Sequence, residues 1–403
     1  MENKKIIIFL HKFPYPPKDS TKLRIFECVI KSLKELADLE FLIVTWEKPG
    51  KEEINYLEQF GKLNLFTYSK FRFILNALRA FFNFRPLQTE MFYFKKIDEL
   101  FKGLIESASA VYVHTIRLGK YLENIEEKDR NKVLLDFNDS IAYHYLNFWK
   151  YYPVLLRPIF LLEGFKIKFY ERKMIKLLNN FSIVAKTDKD FILKDLRLDS
   201  FKEIYITGVN FRKLGLELSN LSIDENLITF MGNLSYYPNY EGINYFLKNI
   251  WPEINKTFPN LKFYIIGQGE KKLKNKFKKI KNVIFTGFLE NPYEIIQKSL
   301  CFISPVRIGA GIQGKVIEVM SLGKLVIVCV NLENIEGFVN YDNILICKNN
   351  TKEEWVNLIQ WARENKNKIK EIEEKSKKNV IENFSSEKVG FVYKNIFENL
   401  LIK

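Results

Sequence analysis

The sequence predicts an α/β protein built from two doubly wound parallel sheets. Short apolar, β-prone runs alternate with stretches of helical apolar spacing along nearly the whole chain, the pattern of strands joined by crossover helices. The alternation breaks at a polar, irregular stretch, 212–226, and begins again at LITFMGNL, 227–234. A chain of 403 residues is long enough for two or three domains, each with its own core. No internal repeat or low-complexity linker stands out.

Ile6 to Leu10 reads as a fully buried first strand; its apolar core of five residues is too short for a signal peptide. The loop after it, KFPYPPKDSTKLR, lies where open α/β sheets bind ligands. Lys18, Asp19, Ser20, Thr21, Lys22 and Arg24 there either contact a ligand or form a polar loop with a helix cap. Leu23 to Leu36 continues with helical spacing. Further strands are expected at Glu40–Trp46, Leu63–Tyr68, Ala110–Thr115, Lys132–Phe137 and Phe181–Lys186. KFRFILNALRAFFNFRP (70–86) sets Phe71, Ile74, Leu75, Leu78, Phe81 and Phe82 at helical spacings among Lys70, Arg72, Arg79 and Arg85. Such a helix either packs on a sheet or lies on an anionic membrane. A second basic, aromatic segment runs from Tyr143 to Tyr170.

VYVHT puts His114 at the end of a strand, where a histidine can act as a base, bind a hydroxyl, or hold a purely structural place. In LLDFNDS, Asp136 and Asp139 either share hydroxyl contacts or Asp139 caps the next helix. His11 and His144 have no comparable context. Asp188 and Asp190 form an Asp-x-Asp after a strand, for which capping and helix-dipole stabilisation suffice without metal.

In the second half, LITFMGNL ends in Gly232 and Asn233, and KFYIIGQGE is a strand followed by Gly-x-Gly. EKKLKNKFKKIK reads as a solvated basic helix and VIFTGFL as a strand and turn. The richest stretch is PVRIGAGIQGKVIEVMSLGKLVIVCV, 305–330, which reads as a glycine loop opening a helix that leads to a buried strand. Gly309, Ala310 and Gly311 remove bulk at the turn, so backbone N–H groups can approach a ligand. Ile312, Val316, Val319 and Met320 share one helical face, and Gly323 stops it. A helix N-terminus with Arg307 and Lys315 nearby suits a diphosphate, and Glu318 suits ribose hydroxyls. The competing reading is an ordinary βαβ turn with solvated charges. NILICK (343–348) continues the sheet, and Trp355–Trp361, Ile369–Ile381 and Glu387–Leu401 read as helices.

The net charge of +15 invites nucleic acid or an anionic membrane as partner, although abundant Lys, Ile, Asn and Phe point to a compositional share. The four cysteines are dispersed without a C-x-x-C, and Cys301 and Cys329 fall in strand patterns, as buried thiols in a reducing compartment do. No run approaches the ~20 apolar residues a membrane span needs.

The pattern R-x-G-A-G-I-x-x-K-x-x-E from Arg307 to Glu318 resembles the donor-binding motif of GT-B glycosyltransferases, in particular a subset of the family 4 type of bacterial polysaccharide synthesis. Glu318 matches the second glutamate of that family's E-x7-E motif, and Ala310 stands where the first would be. RLGKYL, LLDFNDS, ITGVNF (206–211), the Pro-Asn pair ending at Asn239, VIFTGFL and the last helix are similar to further family segments. The resemblance implies two Rossmann-like domains facing a cleft. The first, 1–208 with a returning helix 386–403, would hold the acceptor; the second, 209–385, would hold a nucleotide-sugar. Gly232, Asn233, Arg307, Gly309, Gly311, Ile312, Lys315 and Glu318 are the implied donor-side residues. His114, at its strand end, is the catalytic candidate, and Lys18, Arg24 and Asp139 are the candidates on the acceptor side. The implied reaction moves a glycosyl group to a hydroxyl of a glycan or lipid-linked acceptor without metal or cofactor. It would run in the cytoplasm, with possible contact to an anionic membrane surface at its inner face, and no nucleic acid is expected. An epimerase of the same fold and a non-catalytic basic scaffold or nucleic-acid binder are the alternatives.

Overall fold

The computed structural model describes residues 4–194, 196, 202–212, 222–308, 313–329 and 337–402. The chain divides into two compact units, Met1–Asn210 with Ser386–Lys403, and Phe211–Ser385.

The first unit is a seven-stranded sheet of β1 (Lys5–Leu10), β2 (Asp38–Thr45), β3 (Gly61–Thr67), β4 (Ala110–His114), β5 (Val133–Asp136), β6 (Asn180–Ile183) and β7 (Glu203–Ile206), in the order β3-β2-β1-β4-β5-β6-β7. Every pairing is parallel; Ile8 lies opposite Phe41 on one side and Tyr112 on the other. The central strands are apolar throughout because both faces are covered. Ile7 and Phe9 join one core cluster, whereas Ile6, Ile8 and Leu10 join the other. Asp19 caps the first helical run by accepting from the Lys22 N–H at 2.8 Å. That run is α-helical over Ser20–Leu23, π-helical over Arg24–Ile30 and α-helical again over Lys31–Lys34. The last helix, Ser386–Ile402, returns to this unit and buries Val389, Tyr393, Ile396 and Phe397 against Ile25, Phe26 and Val29. Gly390 permits the approach, since a Cβ there would stand 2.5 Å from the Ser32 hydroxyl.

The second unit holds β8 (Asp224–Met231), β9 (Lys262–Ile266), β10 (Val283–Gly287), β11 (Ser299–Ser304), β12 (Val326–Val328) and β13 (Leu345–Ile346), ordered β10-β9-β8-β11-β12-β13 and again wholly parallel. Trp251, Trp355, Phe246 and Phe263 fill its core. In each sheet the strand order reverses next to the first strand, between β1 and β4 and between β8 and β11. The carboxyl ends at such a reversal form the crevice in which open α/β sheets take ligands.

Several sequence expectations change. β7 is absent from the sequence reading because it is a four-residue edge strand in which Ile204 alone is buried. The lysine-rich stretch forms a helix only over Lys271–Lys276, where Leu273 is the buried anchor. Asp139 does not cap the helix Ile141–Phe148; Ser140 does, accepting from the Tyr143 N–H. Asp188 is buried and accepts from the Ser140 N–H at 3.0 Å, so it serves a neighbouring element as well as its own first turn. His11 does have a context: its ring stacks on His114 at 5.2 Å.

The amphipathic stretch 70–86 faces the opposite way from a packed helix. The helix Lys70–Ala77 and the 3₁₀ turn Leu78–Phe81 bury Phe73, Asn76, Ala77 and Ala80. Phe71, Ile74, Leu75, Leu78, Phe81 and Phe82 are exposed, Phe82 by 91%.

Candidate functional site

The carboxyl ends of β8, β9 and β11 converge in the second unit. Gly232 and Asn233 follow β8 and lie against the Gly-x-Gly after β9: the Gly232 N–H donates to Ile266 O and the Leu234 N–H to Gln268 O. The approach demands glycine at 267, where φ is 141° and a Cβ would fall 2.0 Å from Gly232 O. Asn239, in the first turn of the helix Tyr237–Asn249, donates to Asn233 O at 2.9 Å. Its Oδ1 accepts from Lys315 Nζ at 2.6 Å. The Lys315 ammonium also lies 4.3 Å from the centre of the Phe230 ring. Burial lowers its pKa to about 7, with no carboxylate at hand to restore it.

Lys315 and Glu318 project from the helix Gly314–Ser321, which follows β11 and is seated by a bond from the Ser304 hydroxyl to Gln313 Oε1. Glu318 Oε1 accepts from the Tyr293 hydroxyl at 2.8 Å. Burial raises the Glu318 pKa, and Tyr293 and Arg212 pull it back. The glycine-lined rim, one ammonium and one carboxylate thus converge at the strand reversal. The ammonium suits an oxyanion, and the carboxylate accepts hydroxyl protons.

Residues 225–365 match the family described as Glycosyl transferases group 1. The second unit carries a group 1 glycosyltransferase domain. The whole chain has the GT-B fold. It superposes on the crystal structure of TarM with a TM-score of 0.67 at 12% identity, covering 99% of each chain. WaaG, a glycosyltransferase involved in lipopolysaccharide biosynthesis, gives a TM-score of 0.65 at 10% identity, covering 97% of this chain and 99% of WaaG. Anabaena HepE, solved with UDP and glucose, gives 0.60 at 12% identity over 98% of both chains. A Klebsiella pneumoniae protein, an uncharacterized 44.6 kDa product of the cps region, is 22% identical over 400 residues, 96% of this chain and 97% of that protein.

Within the group 1 domain, the expectation that Arg307 supplies a counter-charge to phosphate needs correction. Its guanidinium grips Glu241 through Nε and Nη2 and lies 3.5 Å over the Tyr245 ring, so its charge is already answered. Glu241 carried no sequence signal. Tyr293, the partner of Glu318, was likewise invisible, because a contact across 25 residues leaves no local spacing. Gly309, Gly311 and Ile312 lie outside the described residues. Gly232 and Asn233 lie at the carboxyl end of β8, against Gly267.

In the first unit, Arg24 is also corrected: it is 2% exposed and turned inward. Its Nη2 donates to Asp136 Oδ2 at 3.0 Å and to Asn138, and its Nη1 donates to Tyr393 and Thr207. Asp136 further accepts from Tyr112 and Tyr393 hydroxyls and from the Asn138 N–H. Burial would raise this carboxyl; Arg24, His114 and Tyr112 override it and hold it below the usual carboxylate range. His114 is fully buried, its Nδ1 3.5 Å from Asp136 Oδ2, and burial takes its pKa down to about 4. A neutral ring with Nδ1–H turned to Asp136 leaves Nε2 as a bare acceptor, and that atom has no partner among the described residues. Lys18 and Asp139 are exposed.

Proposed function

We propose that the protein transfers a glycosyl group from a nucleoside diphosphate sugar, with uracil as the base, to a hydroxyl of a glycan or lipid-linked acceptor. The observation that carries this reading is the placement of Lys315 and Glu318 one helical turn apart at the β8–β11 reversal of a group 1 domain. Glu318, steadied by Tyr293, accepts the ribose hydroxyls. Lys315 meets the diphosphate, where a fixed cation stabilises the charge that grows as the sugar leaves. His114 Nε2 is suited to accept a hydroxyl proton from the acceptor. The structures of HepE with UDP and glucose, and of a TarM variant from S. aureus with UDP and alpha-GlcNAc-glycerol, support the choice of base.

The same reading puts the first unit against an anionic membrane at the inner face, where a lipid-linked acceptor would be met. Beside the exposed stripe at 71–82, Phe84, Val154, Leu155, Ile159, Leu162 and Phe169 are more than half exposed. Lys166 ties the two segments by donating to Ala80 O at 3.1 Å, and exposed Lys70, Arg72 and Arg79 supply positive charge. No helix among the described residues is long and apolar enough to cross a membrane.

Calorimetric titration of UDP, GDP and ADP into the wild type and Glu318→Ala tests the donor site. UDP should bind best and lose about tenfold or more on substitution. A folded protein that binds none of the three would refute the reading.

A further inference from the structure

We propose that His11, Lys12, Gln88 and Arg117 form a receptor for an anionic group, a phosphate or carboxylate, carried by the acceptor. The proposal rests on the transferase reading above and assigns chemistry to the other substrate.

The four side chains gather at the carboxyl ends of β1 and β4, at the strand reversal of the first sheet. Lys12 and His11 follow β1 directly. Arg117 lies in the short 3₁₀ turn after β4, and Gln88 in the helix Leu87–Met91. Arg117 is held by uncharged partners: Nε donates to Gln88 Oε1 at 2.7 Å, and Nη1 donates to His11 Nε2 at 3.3 Å. Gln88 is fixed in turn by its bond to the Tyr145 hydroxyl at 2.9 Å. A guanidinium has five N–H donors, so most of those on Arg117 are uncommitted.

His11 must be neutral for this arrangement. Its Nε2 accepts from Arg117, which puts the ring proton on Nδ1, facing the Thr115 hydroxyl. Burial, then Arg117, His114 and Lys12, lower its pKa well below the ordinary value.

Lys12 makes no hydrogen bond or ion pair among the described residues. Its pKa is lowered by burial, with Asp19 and Glu47 opposing and Arg117 and Lys22 reinforcing. Those carboxylates are already used. Asp19 caps Lys22 N, and Glu47 pairs with Lys22 Nζ at 2.7 Å. Asp139 acts on Arg117 only through space, its Oδ1 accepting from Asn138 Nδ2. Elsewhere in the unit, sheltered cations meet carboxylates directly: Arg24 with Asp136, Arg85 with Glu123, Lys120 with Glu90 and Lys132 with Asp129. A guanidinium and an ammonium that repel each other through space, with no carboxylate bonded to either, are electrostatically incomplete.

The backbone is shaped around the same cluster. Thr115 follows β4 at φ 69° and ψ 155°, a region that β-branched residues avoid. That conformation puts the Thr115 hydroxyl on His11 and starts the turn that delivers Arg117. Strain of this kind is kept where the surroundings hold a ligand-facing geometry.

The chain contains only three histidines, so the site has its own spectroscopic reporters. Carbon-edited NMR of histidine-labelled full-length protein is titrated with inorganic phosphate, methyl glucuronide and UDP, against chloride at equal ionic strength. The His11 resonance should move saturably with phosphate or the glucuronide and not with chloride. Lys12→Gln and Arg117→Gln should each weaken that binding about tenfold, and Arg117→Lys should retain more of it. No saturable His11 shift with either anion, in folded protein, overturns the proposal; so does a shift matched by chloride. A His11 shift driven by UDP and lost in Arg117→Gln also overturns it, because the anion would then be the donor's diphosphate. Failure of UDP to bind through Glu318 sinks the donor reading alone, because phosphate at His11 is read separately. If Arg117→Gln does not fold, Lys12→Gln carries the same test from a less buried position.

Discussion

Replacing Asp136 by asparagine should cost the first unit about 3–5 kcal/mol, the range for stripping a buried ion pair of one partner. The carboxylate is 0% exposed and Arg24 is 2% exposed, so neither charge is relieved by water. Oδ1 accepts from the Asn138 N–H, while Oδ2 receives Arg24 Nη2 at 3.0 Å, Tyr112 at 2.5 Å and Tyr393 at 3.2 Å. An amide nitrogen in place of Oδ2 would face those donors, and flipping the amide would set it against the Asn138 N–H instead. Arg24 is left as a buried cation without a carboxylate. Because Tyr393 belongs to the helix Ser386–Ile402, the damage should be read there by amide hydrogen exchange. A loss of 3 kcal/mol corresponds to roughly a hundredfold faster exchange through opening. Arg24→Met combined with Asp136→Asn should recover part of the loss, because the unpaired guanidinium is its main source. The pH dependence has a fixed sign. The Asp136 pKa is depressed in the folded protein, so its stabilisation is present above the unfolded value near ~4 and is lost as pH falls toward the folded value. The difference between variant and wild type should therefore shrink in acid. A cost below about 1 kcal/mol at neutral pH would refute the account of a tightly coupled buried network.

Tyr293→Phe should weaken UDP binding about tenfold with little change in melting temperature, since it removes the hydroxyl that orients Glu318; calorimetry and a thermal melt decide it. With its pKa brought down to about 7 by burial, Lys315 is largely neutral at pH 8, so binding a diphosphate should draw in close to one proton there and far fewer at pH 6. Calorimetry in buffers of different ionisation enthalpy measures this, and equal uptake at both pH values would contradict it. Glu171, raised to about 8 by burial, contributes stability that is present below its unfolded value near ~4 and lost as pH rises through the folded value. Glu171→Gln should accordingly raise the melting temperature at pH 9 relative to wild type and lose that advantage by pH 5. Phe82→Asp, at a side chain 91% exposed, should abolish sedimentation with anionic vesicles while leaving the melting temperature unchanged, and undiminished sedimentation would count against the membrane surface.

The sequence determined the local and periodic features of this protein. Two-face burial forces continuous apolar strands, so β1, β2, β4 and β11 could be read as runs of Ile, Val, Leu and Phe. Helical spacing and a terminal glycine marked the helix that carries Lys315 and Glu318, and Gly323 adopts φ 67° as the stop requires. Tertiary structure decided which charges are available. Arg24 and Arg307 have the same side chain as Arg117, yet Asp136 and Glu241 neutralise the first two from 112 and 66 residues away. It also decided which face of 70–86 meets solvent, because a hydrophobic period gives the angle of a stripe but not what lies beneath it. His11 and His114 are 103 residues apart along the chain, and the pairing of β1 with β4 brings them into one stack. Apolar patterning acts along a strand or helix and is therefore written in neighbouring residues; charge pairing acts through space and depends on the topology that folding supplies.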